Sequence, residues 1–216
     1  MKKVYFQFLI CFICLFSIFF SFKAHACLAL QGKLIIIDAG HGYKDGVTSY
    51  NDILEKDINL KISKLLEQKL ASYGASVLMV RNNDEDLSNG AKTHRKKHDF
   101  DNRIKIINNS NGDIYLSIHV NYLNDSSYFG SQVFYDKNNK RLADIIQKHL
   151  NKHLNINRKT LPIPKGTYMY KRLNIPGVLI ECGFLSNSHD RNLLVNPIYQ
   201  QKLVDIICTA LIDFFY

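Results

Sequence analysis

Hydrophobic patterns with strand-like spacing alternate with patterns of helical spacing along residues 33–214. The predicted strands cover residues 34–37, 76–81, 114–120, 131–135 and 177–182, and the predicted helices cover residues 52–73, 100–108, 140–154 and 197–214. Such alternation favours an α/β fold, in which helices flank a central, twisted, mostly parallel sheet. Functional residues of these sheets collect at the carboxyl ends of the strands. We therefore expect the active residues of this chain at that edge.

The first predicted strand is followed closely by a histidine between two glycines. The run Leu34–Ile37 is wholly aliphatic, as in a buried strand, and Gly40-His41-Gly42 comes next after Asp38 and Ala39. Glycine on both sides lets the backbone turn and lets another group approach closely. Taken alone, His41 is an ordinary turn residue. Its role depends on the groups that join it.

Two later strands also place an ionisable side chain near their ends. His119 and Asn121 share one face of the strand that begins at Ile114, and aliphatic residues occupy the other face. Glu181 lies within the predicted core strand 177–182, where loss of water should raise its pKa. A carboxylate with such a pKa suits a general base that works near neutrality. His119 alone is also compatible with a half-buried, hydrogen-bonded histidine, whereas an unpaired glutamate on a core strand is costly.

These side chains predict a metal site like those of zinc hydrolases. Zinc binds imidazole and carboxylate groups, and a hydrolytic zinc keeps three protein ligands and one water. We expect one Zn²⁺ bound by His41, Glu55 and His119. Glu181 would then face the water as the catalytic base. Glu55 has an alternative role, since it lies three residues after Asp52 and can complete a helix capping box.

The remaining histidines and cysteines carry weaker signals. His149 and His153 have the i, i+4 spacing that can also bind a metal, but no glutamate follows in the metalloprotease pattern. We predict that they are surface residues. Beyond the N-terminal segment the cysteines are Cys27, Cys182 and Cys208, an odd number without paired spacing. This pattern does not describe a disulfide framework.

Residues 1–26 have the organisation of a secretory signal peptide. A basic start precedes the apolar stretch 4–22, and Ala24-His25-Ala26 offers a small-x-small cleavage site. An uncleaved membrane anchor is the first alternative, because this stretch nearly spans a bilayer. Cys27, directly after Ala26, raises a lipoprotein signal as the second. In each case residues 27–216 form one exported domain, in the periplasm or cell envelope.

The basic balance of the chain does not identify a partner by itself. The formal net charge is +9, and removal of Lys2, Lys3 and Lys23 with the signal segment leaves +6. The only basic cluster, residues 94–98, lies in the polar stretch 82–99, which we predict to be a long surface loop. Because the domain is exported, we expect no nucleic-acid partner. An anionic polymer or a membrane surface is the alternative to a simply solvated loop. We also expect a monomer.

Six motifs follow one another in order along the chain. They are IIIDAGHG (35–42), LEKDINLKI (54–62), VLMVRNND (77–84), RIKIINNSNGDIYLSIHVN (103–121), GSQVFY (130–135) and IPGVLIECGFLSNSHDRNLL (175–194). Together they resemble the zinc-dependent N-acetylmuramoyl-L-alanine amidases of bacterial cell walls, the family called amidase type 3. The resemblance implies zinc binding by His41, Glu55 and His119, and a catalytic role for Glu181. It also implies cleavage of the amide between N-acetylmuramic acid and L-alanine of the peptidoglycan stem peptide.

This sequence departs from the family in a few places. Alanine occupies position 39, where proline is usual, and the segment 85–102 is longer than usual. Too few residues separate Asn121 from Ser131 for the long blocking helix that some relatives insert there. We expect Asn121 and Arg81 to orient substrate. Other readings remain: a zinc peptidase or deacylase acting on another exported amide, or a non-catalytic wall-binding protein. No motif identifies a protein activator.

Overall fold

Eight strands form two sheets in this computed structural model, which describes residues 29–45, 49–50, 52–136 and 139–216. The strands are β1 (Leu34–Ala39), β2 (Ser49–Tyr50), β3 (Ile53–Leu54), β4 (Ser76–Met79), β5 (Ile114–Asn121), β6 (Gln132–Tyr135), β7 (Leu161–Pro162) and β8 (Gly177–Phe184). The central sheet has the order β4-β1-β5-β8-β6-β7, and β2 pairs only with β3. All neighbours in the central sheet are parallel except β6 and β8. The predicted mostly parallel α/β sheet is therefore confirmed.

Five helices accompany the sheet in the described part of the chain. They are α1 (Glu55–Ser72), α2 (Arg95–Asn108), α3 (Lys140–Leu154), α4 (Ser188–Leu194) and α5 (Pro197–Phe215), and a 3-10 turn covers Tyr170–Arg172. Among these described segments, no helix has the length and hydropathy needed to cross a bilayer. The predicted signal segment 1–26 lies outside the described residues.

Two apolar cores, one on each face of the sheet, hold these layers together. Ile35 and Ile37 of β1 belong to the larger core, which also contains buried residues of α1, α3 and α5. Ile36 points the opposite way, into the smaller core with Ile107 of α2 and Tyr115 of β5. This explains why the sequence of β1 is aliphatic without alternation, since both of its faces are covered.

The prediction of a surface loop over residues 82–99 was wrong in its last part. Helix α2 begins at Arg95, not at Phe100. Its first turn is polar, so the apolar spacing that indicates a helix starts only later. Asp99 is nevertheless buried, because its carboxylate pairs with Arg103 one turn further on, at 2.9 Å. The buried face of this helix is built partly from charges.

Other boundaries differ by small amounts, and the short elements β2, β3, β7 and α4 were not predicted. Strand β8 continues beyond the predicted end at Cys182 to Phe184, and α1 begins at Glu55 rather than at Asp52. Strand β7 and helix α4 are too short to show a period. A local signal does mark α4, because the Asn187 side chain accepts a hydrogen bond from the Asp190 amide at 3.0 Å, as N-cap residues do.

Candidate active site

Three of the predicted site residues meet at the carboxyl edge of the sheet. His41 follows β1, Glu55 is the first residue of α1, and His119 lies late in β5. One ligand atom from each lies within 4.8 Å of the other two. Glu55 Oε1 is 3.1 Å from His41 Nε2 and 3.2 Å from His119 Nδ1. Two imidazoles and one carboxylate around a common point are a donor set that suits a divalent transition metal.

Glycines on both sides of His41 permit this close approach. A Cβ atom on Gly40 would lie 2.3 Å from the His119 ring, and one on Gly42 would lie 2.0 Å from the carbonyl oxygen of Glu85. His41 itself has φ of 62° and Gly42 has φ of 145°. Any larger side chain at either glycine would push a ligand or the neighbouring loop away, so the two glycines are a steric requirement of the site.

Asp45 orients the His41 ring. Its Oδ2 atom lies 2.8 Å from His41 Nδ1, which leaves Nε2 directed toward Glu55. Burial disfavours a charged imidazole, but the hydrogen bonds to Asp45 and Glu55 outweigh it and raise the pKa of His41 to about 9. A carboxylate behind a histidine is the usual outer partner of a metal-binding imidazole.

Glu55 is held as an anion. Burial alone would raise its pKa, yet the hydrogen bonds with His119 and His41 hold that pKa well below its ordinary value. Asn59 Nδ2 and the Val120 amide also approach Glu55 Oε1, at 3.3 Å and 3.2 Å. The alternative role as a capping-box partner of Asp52 is not realised. Helix α1 begins at Glu55 itself, its N-cap is Leu54, and no side chain caps it.

Glu181, on β8, lies beside the group formed by His41, Glu55 and His119. It is the register partner of His119, and both line a cavity of about 200 Å³ together with His41. Glu181 Oε2 is buried and has no hydrogen-bond partner among the described residues. The pKa of Glu181 is raised to about 8. Burial is the larger cause, and the nearby negative charge of Glu55 is the second. This is the protonation behaviour of a group that exchanges a proton near neutral pH.

Arg81 is not positioned to orient a substrate, which was its predicted role. Its side chain is buried, and its guanidinium donates to the carbonyls of Ala39 at 2.7 Å and Gly40 at 2.9 Å. Further bonds reach the carbonyls of Lys56 and Asn83, both at 2.9 Å. A guanidinium committed to four carbonyls is not available to a substrate. The prediction that Arg81 orients substrate is therefore corrected: Arg81 fixes the backbone before His41.

A second buried arginine, Arg103 of α2, was missed by sequence reasoning. It pairs with Asp38 at 2.6 Å and donates to the His41 carbonyl at 2.6 Å. It also reaches Ala39 O at 3.0 Å and Asp99 at 2.9 Å. The only signal in the sequence is the i, i+4 spacing of Asp99 and Arg103, which is common on solvated helices. Together, Arg81 and Arg103 hold the turn that presents His41.

The other candidate residues lie apart from the metal group. Asn121 ends β5, and its Oδ1 accepts from the Tyr122 amide at 2.7 Å. It borders a cleft that also contains Glu181, so its contact with substrate stays a prediction. His153 is exposed as expected, but His149 is only 13% exposed and pairs with Asp213 at 2.7 Å. Within the described part of the chain, neither histidine belongs to a group of three side chains placed to hold a metal ion.

Comparisons with known proteins identify the family of this chain. The family model for N-acetylmuramoyl-L-alanine amidase matches residues 35–213. A germination-specific N-acetylmuramoyl-L-alanine amidase of Bacillus subtilis is 38% identical over 195 residues, which cover 87% of this chain and 82% of the relative. The structure of the CwlD amidase from Clostridioides difficile, in complex with the GerS lipoprotein, has a TM-score of 0.79 at 36% identity, covering 85% of this chain and 98% of that chain. An N-acetylmuramoyl-L-alanine amidase from Clostridium difficile 630 has a TM-score of 0.75 at 27% identity, covering 86% and 97%. From the family match and these identities, the chain belongs to the N-acetylmuramoyl-L-alanine amidase family.

Proposed function

We propose that this protein hydrolyses the amide bond between N-acetylmuramic acid and L-alanine in the stem peptide of peptidoglycan. Family membership supports the reaction type. The observation that carries the proposal is the position of Glu181. Its carboxyl lies on the strand that pairs with the strand of His119, and its pKa is raised to about 8. A proton-accepting group beside a His-Glu-His metal group is the arrangement that metal-assisted amide hydrolysis needs.

We propose Zn²⁺ as the metal and His41, Glu55 and His119 as its three protein ligands. Two imidazoles and a carboxylate match the catalytic zinc sites of hydrolases, which keep one further position open. When bound, zinc supplies Lewis acidity, which polarises an amide carbonyl and lowers the pKa of a water molecule. Asp45 keeps the His41 Nε2 atom pointed into the site, and Asn59 helps to fix Glu55.

Glu181 carries the proton transfers in this proposal. Its carboxylate accepts a proton from the attacking water, because its raised pKa makes it a stronger base than an ordinary glutamate. It then donates that proton to the leaving nitrogen of L-alanine. The buried Oε2 atom has no other partner among the described residues, so nothing in this part of the chain competes for the proton.

Export to the cell envelope is part of the same proposal. The substrate is a wall polymer outside the cytoplasm, and residues 1–26 have the pattern of a signal peptide. The N-terminal segment can be cleaved, can stay as a membrane anchor, or can be replaced by a lipid on Cys27. Mass spectrometry of the protein recovered from cell fractions distinguishes these three outcomes. A full-length polypeptide in the membrane fraction would identify the anchor, and a lipidated N-terminus would identify the lipoprotein.

Product analysis tests the reaction directly. Purified peptidoglycan is incubated with the protein, with and without a chelator, and released peptides are examined by mass spectrometry. We expect peptides with a free amino-terminal L-alanine, and we expect the chelator to abolish their release. Peptides cut at another amide would identify a different zinc hydrolase. Binding to the wall with no released peptide would identify a non-catalytic wall-binding protein.

A further inference from the structure

A second cleft opens beside the cavity that contains His41 and His119, and Glu181 lines both. The volume of this second cleft is about 710 Å³, which is the size of a small-ligand site. Besides Glu181 it is lined by Asn121, Tyr128, Arg158 and Phe184. A substrate whose scissile amide lies at Glu181 would extend into this cleft on one side.

Arg158 is a cation in this cleft that forms no direct ion pair among the described residues, and the charge of Asp190 acts on it at longer range. Its Nη2 atom donates to the neutral Oε1 atom of Gln132 at 2.6 Å. Its guanidinium lies over the Phe184 ring at 5.3 Å and the Tyr128 ring at 5.8 Å. Among the described residues, no carboxylate lies within 4.0 Å of it, and its buried Nε atom has no acceptor. The partly buried Arg158 thus differs from the fully buried Arg103, which pairs directly with Asp38 and Asp99.

The fold does not need this guanidinium to hold its own segment. The main chain of Arg158 is fixed by Asn151 of α3, which accepts from the Arg158 amide at 3.1 Å and donates to its carbonyl at 2.8 Å. The neighbouring carbonyl of Lys159 is bound by Gln132 Nε2 at 2.8 Å. The side chain is therefore free for another purpose, and its replacement leaves these contacts in place.

Strand pairing places Arg158 close to the reacting group. Gln132, its hydrogen-bond partner, is the register partner of Glu181 across the antiparallel pair of β6 and β8. Side chains of such partners share a face, with Cβ atoms roughly 5 Å apart. Arg158 thus lies one side chain away from Glu181. Because Arg158 and Glu181 line the same cleft, a substrate with its scissile amide at Glu181 can present the residue after L-alanine to Arg158.

We propose that Arg158 is a specificity-determining residue that binds the free carboxylate of the stem-peptide residue following L-alanine. This inference rests on the proposed function, because it assumes that the stem peptide enters the cleft beside Glu181. A planar guanidinium matches a carboxylate with paired, charge-assisted hydrogen bonds, which the corresponding carboxamide cannot form equally well. The aromatic rings of Tyr128 and Phe184 hold the guanidinium in place by cation–π contact. The enzyme therefore prefers the carboxylate form of the substrate.

The test compares two muramyl peptides that differ only in a carboxylate or a carboxamide on the residue after L-alanine. The zinc-loaded wild-type protein should cleave the carboxylate form with a kcat/KM about tenfold higher or more. Arg158→Gln should reduce that ratio to near unity without losing zinc. The control Arg141→Gln removes an exposed guanidinium elsewhere, over the Phe214 ring, and should keep the wild-type ratio.

Binding of the released stem peptides in carboxylate and carboxamide forms, measured by calorimetry, makes the outcome independent of turnover. Preference for the carboxylate in the wild-type protein and its loss in Arg158→Gln support the inference, even if neither substrate is cleaved and the proposed reaction fails. Equal cleavage and equal binding of both forms by the wild-type protein overturn the role of Arg158 while the amidase activity stands. Lys159 also lines the cleft. A preference that persists in Arg158→Gln and disappears in Lys159→Gln would assign the carboxylate to Lys159 and overturn the role of Arg158.

Discussion

His119 on β5 and Glu181 on β8 are register partners in the central sheet. Paired residues of neighbouring strands point to the same face, so main-chain hydrogen bonds set the separation of the proposed metal ligand and the proposed base. The register shifts only after His119, between that residue and Asn121. The two side chains of the proposed mechanism are therefore placed by strand pairing rather than by loops.

Replacing Glu181 with glutamine should separate chemistry from metal binding. Glutamine has nearly the same shape but cannot accept the proton of water, so we expect kcat to fall roughly 10²–10⁴-fold. Zinc content, measured by elemental mass spectrometry, should stay at the wild-type level because Glu181 is not a proposed ligand. Glu67→Gln, on α1 away from the site, is the matched control and should keep full activity. Appreciable turnover by Glu181→Gln would contradict the proposed role.

Replacing His119 with alanine should remove the metal. One of three protein ligands is lost, so we expect zinc well below one equivalent after dialysis and no measurable hydrolysis. His153→Ala removes an exposed histidine from α3 and is expected to retain both zinc and activity. A full zinc complement in His119→Ala would show that the metal binds elsewhere.

Metal affinity should rise with pH because of His41. Its pKa in the metal-free protein is raised to about 9, above the ordinary 6.5, so the ring is protonated at neutral pH and the metal must displace the proton. Below that pKa this single proton makes the affinity increase up to about tenfold per pH unit. Competition with a zinc-binding dye between pH 6 and 8 measures the slope. Asp45→Asn removes one cause of the raised pKa and should flatten it, and a flat wild-type profile would refute this explanation.

A methyl group at Gly40 should disable the site without unfolding the protein. The added Cβ atom would lie 2.3 Å from the His119 ring, so the ring must move away from Glu55. We expect Gly40→Ala to bind zinc at least tenfold more weakly, a loss of about 1.4 kcal/mol. Gly166→Ala, whose added atom meets nothing within 4 Å but whose φ of 100° strains an alanine, controls for backbone strain without a clash and should bind zinc normally. Isothermal titration of both variants gives the comparison, and equal affinities would show that His119 is not confined.

Loss of the Arg103 guanidinium should cost much stability. Arg103→Met leaves the buried carboxylates of Asp38 and Asp99 without their cation, and breaking a buried pair in this way destabilises by about 3–5 kcal/mol. Urea denaturation of the metal-free protein measures the free energy of unfolding. Lys97→Met, which breaks an exposed pair on the same helix, should change it far less. Similar losses in both variants would mean that the buried pair has no special weight.

The sheet and the metal group could be predicted because their signals are local. Aliphatic runs mark the strands, and His41, His119 and Glu181 each follow or end such a run. Parallel strands then bring these ends to one edge. Glu55 needed one more step, since only the length of the segment after His41 allows α1 to begin beside that edge.

The supporting residues could not be predicted in the same way. Arg81 was predicted to orient substrate, and Arg103 looks like a solvated helix charge in sequence. Only the folded chain reveals that main-chain carbonyls and Asp38 surround them. The first turn of α2 could not be predicted either, because its residues are polar and show no apolar helical spacing. Arg158 lies outside the predicted strands and helices, and its place beside Glu181 follows from the antiparallel pairing of β6, which strand periodicity does not specify.

The arginines beneath His41 also bear on which ions the site can accept. The carbonyl oxygens of Ala39 and Gly40 accept from Arg81, and that of His41 accepts from Arg103. These oxygens are the hard donors that calcium and magnesium prefer, and here guanidinium groups occupy them. What remains to face a cation is two ring nitrogens and one carboxylate, a set better matched to borderline metals. The turn that positions the histidine thus engages its own carbonyl oxygens in hydrogen bonds instead of offering them to a cation.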